Sequence, residues 1–188
     1  MLPILVYVTV LLVATCGLVY ELVIGTLSSY LLGNSITHFS IVIGVFLSAL
    51  GIGAYLSKFV QRELARRFVE VEYGLALIGG LSTPVLFASY VRPVAFVAAM
   101  YAIVLLEGTL VGLEIPLLVR VLRRRVLLED LVARALAFDY LGSLFASLIF
   151  SFVALPHLGL IRTSVVFGLV NAFVGLAALS LFASHLPS

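Results

Sequence analysis

Cysteine is almost absent from this 188-residue sequence, where Cys16 stands alone. A single thiol excludes an internal disulfide and any multi-cysteine metal site. Charge is scarce too: Asp, Glu, Lys and Arg make up 11% of residues, less than half the share usual in a soluble domain. A net charge of +2 is too small to imply nucleic acid. Signatures of soluble catalysis are also missing. There is no glycine-rich strand–turn–helix for a nucleotide, no Gly-x-Ser-x-Gly, no His-Glu-x-x-His and no Walker lysine. His38 and His157 have no second ligand at metal spacing and read as interfacial residues, and His185 reads as solvated. No cofactor and no metal are expected, and catalysis on soluble metabolites by this chain alone is not expected.

What is abundant is hydrocarbon. Hydrophobic residues make up 63% of the chain, in runs long enough to cross a bilayer. The fold class is therefore all-α: a polytopic membrane helix bundle with about six transmembrane helices in a single domain over 1–188. The expected spans are 3–27, 36–59, 73–91, 94–119, 132–155 and 160–183, with an interfacial helix over 60–72. The first run lacks a basic head and a small-residue cleavage site, so it reads as a span and not as a cleaved leader. Basic residues concentrate in two connectors, Arg62, Arg66 and Arg67 in one and Arg120 and Arg123-Arg124-Arg125 in the other. The positive-inside rule puts both connectors in the cytoplasm, and both termini with them. This implies a multi-pass protein of the cell membrane. Tyr30, Tyr55 and Tyr90 fall near span ends, as belt residues do.

Small residues recur at helical spacing. Gly44 and Ser48, then Ala49, Gly53 and Ser57, lie in the second span, and Gly108 and Gly112 in the fourth. Such spacing lets helix backbones approach closely, and packing is the preferred reading. Pro84 and Pro116 remove backbone donors and are expected to kink their helices.

The candidate site residues are the ionisable groups inside these runs, because a carboxylate in hydrocarbon needs a partner. Glu21 lies in the first span with Gly17 and Gly25 one turn either side, leaving a groove around it. Arg162 enters the last span at a comparable depth and is the expected ion-pair partner; the alternative is a protonated Glu21 hydrogen-bonded to a neighbouring helix. Glu107 and Glu114, seven apart in the fourth span, project from one face about 10 Å apart. Pro116 frees the carbonyl of Gly112 beside Glu114. Acidic groups and a free carbonyl on one face suit a cationic guest; the alternative is a stripe neutralised by Arg120 or by protonation. Asp139 begins a stripe continued by Ser143, Ser147 and Ser151. Asn171 reads as an interhelical hydrogen-bonding residue. The binding set expected from these positions is Glu21, Glu107, Glu114, Asp139 and Ser143, with Arg120 and Arg162 as structural ion-pair residues.

Several stretches together resemble a known family. Cys16-Gly17-Leu18-Val19-Tyr20-Glu21 and Leu32-Gly33-Asn34-Ser35 look like the opening of the membrane domain fused to many prokaryotic spermidine synthase-like proteins. Gly112-Leu113-Glu114-Ile115-Pro116-Leu117, Ala137-Phe138-Asp139-Tyr140-Leu141-Gly142-Ser143 and Leu155-Pro156-His157-Leu158-Gly159-Leu160-Ile161-Arg162-Thr163 resemble its later spans. The resemblance implies a cytoplasmic aminopropyltransferase domain or subunit with a Rossmann-like core. That domain would move an aminopropyl group from decarboxylated S-adenosylmethionine to putrescine. The synthase motifs themselves are missing before Ser188, so the family's catalytic residues have no positions here. Two functions follow as expectations. One is a module that binds or moves a small cation such as a polyamine. The other is a non-catalytic anchor or scaffold that holds a partner enzyme or membrane complex. A third possibility is a transporter half that must dimerise, since spans 1–3 and 4–6 have opposite orientation, as inverted repeats require.

Overall fold

A computed structural model of the chain describes residues 2–33, 35–122 and 128–185. The Arg123-Arg124-Arg125 run and Asn34 lie outside the described residues. The chain is all-α, without a strand among the described residues. Its helices are α1 (Leu2–Leu32), α2 (Ser35–Leu56), α3 (Leu64–Ser89), α4 (Pro93–Leu122), α5 (Leu128–Ile149) and α6 (Leu155–His185). A 3₁₀ turn, Ser57–Phe59, extends α2, and a π-helical turn, Phe150–Ala154, joins α5 to α6.

Among the described residues, length and composition make five helical segments, not six, long and apolar enough to cross a membrane. The fifth runs from Asp130 to Ser180, 51 residues without an intervening loop. A straight helix of that length would extend about 76 Å, against about 46 Å for α1. Both α5 and α6 pack on α1, so the chain must turn within the segment. Gly159, at φ 71° and ψ 177°, breaks the helical backbone there. Positive φ is readily available to glycine and uncommon for other residues. The expected loop around His157 is thus replaced by helix on both sides of one glycine.

The expected interfacial helix over 60–72 does not form as a separate element. Residues 60–63 are non-helical, Glu63 takes a left-handed conformation, and α3 then continues unbroken to Ser89. Phe68, Val69, Val71, Glu72 and Leu75 are buried within it. Their burial puts this face in the core, where an interfacial helix would have one face in water.

Helix α1 is central. It touches every other helix, whereas the remaining pairs are α2 with α4, α3 with α4, α3 with α6 and, less extensively, α4 with α5. Small residues set these approaches. A Cβ on Gly53 would collide with the carbonyl of Thr109, and one on Gly112 with the carbonyl of Leu50. Ala49 meets Gly108 in the same seam. Gly44 faces open space, so the first pair of the small-residue series takes no part in the seam. Thr15 Oγ1 lies 2.7 Å from the carbonyl of Leu11 and 3.1 Å from that of Gly142, linking α1 to α5. The helices continue through Pro84 and Pro116. The outer faces stay apolar, with Leu47, Leu77, Val94, Leu106, Phe152 and Phe173 among the exposed side chains.

Candidate functional site: an acidic groove backed by buried acids

A groove of about 450 Å³ opens between α1, α2, α4 and α5. Gly17 and Glu21 come from one face of α1, Glu114 and Pro116 from α4, and Asp139 and Ser143 from one face of α5. Phe46, Leu47 and Leu50 of α2 form its apolar wall. The spacing on each helix explains the convergence: Gly17–Glu21 and Asp139–Ser143 are each one turn apart. The space beside Gly17 is filled by the Val111 side chain and that beside Gly25 by the Phe39 ring, so neither glycine alone opens the groove. Glu21 and Glu114 are buried, and Asp139 and Ser143 are half-buried. Among the described residues, no basic side chain lines the groove. Gly112 lines it too, and Pro116 has no N–H to offer the Gly112 carbonyl. Three acids and apolar walls therefore share this one groove.

Glu107 is not part of this groove. Although Glu107 and Glu114 share one face of α4, Glu107 is fully buried deeper in the bundle. The Ser82 hydroxyl lies beside its carboxyl, but donates its proton to the Gly79 carbonyl at 2.7 Å. Both Glu107 carboxyl oxygens are left without a donor.

Both expected ion pairs are absent. Arg162 is exposed at the start of α6 and makes no salt bridge to Glu21, which faces α2, α4 and α5 through the groove. Arg120 does not neutralise Glu114 either: its guanidinium donates to the Ser57 carbonyl at 2.6 Å. The salt bridges among the described residues are on exposed ground, joining Arg66 to Glu63 and Glu70, Arg67 to Glu70, and Arg134 to Asp130.

The serine stripe divides. Ser143 reaches the groove, Ser147 donates to the Leu144 carbonyl at 2.9 Å, and Ser151 is exposed. Asn171 is buried, but its amide has no hydrogen-bond partner among the described residues.

Glu72 is the acid the sequence reading passed over, by assigning it to a connector. It is fully buried on α3, within hydrogen-bonding reach of the Glu114 carboxyl. No other described group donates to either Glu72 oxygen or to Oε1 of Glu114. Tyr20 and Cys16 of α1 are also fully buried, close enough to Glu72 and Glu114 to feel their charge. The Tyr20 ring packs on Gly79, and its hydroxyl has no partner. The signal for Glu72 was present in Phe68, Glu72, Leu75 and Gly79, which recur at helical spacing on one buried face.

No protein-family profile matches the chain, and no solved structure matches it. Curated proteins do. It is 44% identical over 170 residues to a polyamine aminopropyltransferase of Leptospira interrogans, an alignment covering 90% of this chain and 34% of that protein. It is 46% identical over 185 residues to polyamine aminopropyltransferase 2 of Ralstonia nicotianae, covering 97% of this chain and 36% of the relative. With a polyamine aminopropyltransferase of Mycobacterium tuberculosis it shares 41% identity over 170 residues, covering 84% and 32% respectively. The chain spans about a third of the length of the curated relatives it matches. Over most of its length, then, this all-α chain is related to proteins named polyamine aminopropyltransferase.

Proposed function

We propose that the chain is a membrane-embedded module of a spermidine synthase-like protein, and that its acidic groove binds a small organic cation, with a polyamine the leading candidate. The observation that carries this reading is the convergence of Glu21, Glu114 and Asp139 on one groove that no basic residue lines among the described residues. An extended polyamine offers what such a groove would select: ammonium groups for the carboxylates and methylenes for the wall of Phe46, Leu47 and Leu50. Membrane embedding is supported by five apolar segments of spanning length and by outer faces rich in exposed Leu, Val and Phe. Exposed Tyr30, Tyr55 and Tyr90 near helix ends fit the interfacial belt. The exposed Arg62 before α3 and the exposed Arg66 and Arg67 in its first turn favour a cytoplasmic α2–α3 connector in the cell membrane.

The test is spermidine binding and uptake by the purified chain in liposomes. Combining Glu21→Gln, Glu114→Gln and Asp139→Asn abolishes both on this reading; undiminished binding and uptake refute it. A second reading, an anchor holding a cytoplasmic aminopropyltransferase domain or subunit, is favoured by the two-thirds of each relative's length that this chain does not match. It predicts that the same three substitutions leave attachment of the partner enzyme to the membrane unchanged.

A further inference from the structure

Glu72 and Glu114 face each other across the α3–α4 contact with their carboxyls in hydrogen-bonding reach. Two ionised carboxylates are both acceptors and both negative, so such a contact requires a proton between them. No other group supplies one, since both Glu72 oxygens and Oε1 of Glu114 lack a donor among the described residues. The two residues are 0% and 2% exposed. Only Glu114 lines the groove, with Glu72 behind it.

We propose that the Glu72–Glu114 pair is a proton store coupled to the groove, so that a cation entering the groove displaces the shared proton. The inference rests on the cation-binding reading above. When an ammonium group approaches Glu114, that carboxyl becomes the anionic partner of the cation, and the proton of the pair is released. One positive charge enters the acidic site and one leaves it. The exit lies past half-buried Asp139 at the open side of the groove.

The other titratable groups around the pair do not supply a counter-charge. From α1 they are Cys16, Tyr20 and Glu21, from α4 Glu107, and from α5 Asp139. The residues of α2 that line the groove are not titratable. From α6, Asn171 is neutral, and Arg162 is exposed and forms no salt bridge among the described residues. Among the described residues these groups are neutral or acidic, and the guanidinium of Arg120 on α4 is engaged by the Ser57 carbonyl, so a proton or an incoming cation is what balances the pair.

The experiment measures spermidine affinity of the full chain in lipid nanodiscs from about pH 6 to about pH 8, where the amines stay charged. Displacement of about one proton per cation raises the affinity about tenfold per pH unit. Glu72→Gln keeps binding but flattens this dependence, because the Gln amide is a permanent donor to Glu114 and holds no exchangeable proton. Infrared difference spectra give a second readout in the unsubstituted chain: the band of a protonated carboxyl loses intensity when spermidine is added. Binding without pH dependence, a dependence unchanged in Glu72→Gln, or no loss of the carboxyl band overturns the proton store while leaving the groove intact. Absence of spermidine binding to the unsubstituted chain at every pH overturns the groove reading itself, and the coupling with it.

Discussion

The guanidinium of Arg120 donates to the main-chain carbonyl of Ser57 at 2.6 Å, across 63 residues of sequence. It ties the last turn of α4 to the 3₁₀ turn that ends α2. Ser57 is buried, and its carbonyl also accepts from the Val60 N–H at 3.1 Å, so Arg120 supplies the second, charged donor. Arg120→Ala is expected to destabilise the chain by about 1.5–3 kcal/mol, the range for a hydrogen bond to a charged group. Arg120→Lys should recover part of that loss. Unfolding followed by circular dichroism, with both variants beside the unsubstituted chain, checks it; equal stability of Arg120→Ala would remove the tie.

The seam between α2 and α4 depends on missing side chains. Any Cβ at Gly53 or Gly112 meets a backbone carbonyl of the facing helix, which cannot swing away as a side-chain end can. Gly53→Ala or Gly112→Ala is expected to cost about 1–3 kcal/mol through overpacking. Gly44→Ala, which faces open space, should stay within about 0.5 kcal/mol of the original. The same unfolding assay separates these outcomes.

Gly159 turns the chain at a φ of 71°. A Cβ there meets no neighbour, so the effect of Gly159→Ala isolates backbone strain. A loss of about 1–2 kcal/mol is expected. A neutral result would mean that the turn tolerates another backbone conformation.

Burial alone does not put an acid in the groove. Asp139→Asn is expected to weaken spermidine binding about tenfold, equivalent to about 1.4 kcal/mol. Glu107→Gln, which alters an acid outside the groove, should leave affinity within about twofold on the same scale. Titration calorimetry on the two variants compares them directly. A larger effect at Glu107 would shift the site deeper into the bundle.

The helical architecture was legible because its cause is local. Long apolar runs interrupted by short polar connectors leave the chain few alternatives to packed helices. The groove was partly legible for the same reason. The i, i+4 spacing of Asp139 and Ser143 and the pairing of Gly17 with Glu21 are properties of single helices. Other features depend on which faces meet. Glu107 and Glu114 share a face by spacing, yet α4 turns one toward Ser82 and Tyr20 and the other toward the groove. Arg162 is exposed on α6 and does not line the groove that holds Glu21. Glu72 became a core residue only when the face carrying Phe68 and Leu75 packed into the bundle and drew the start of α3 with it.

The amino-acid order by itself determined that helices form, roughly where, and which of them carry acids, since hydrophobicity and helical period act within one segment. Only the tertiary structure decided which acids converge, which stand behind them, and that Arg120 and Arg162 neutralise none of them. Those outcomes depend on the rotation of each helix about its axis. That rotation is set by close contacts such as Gly53 with Thr109, between residues far apart in the chain.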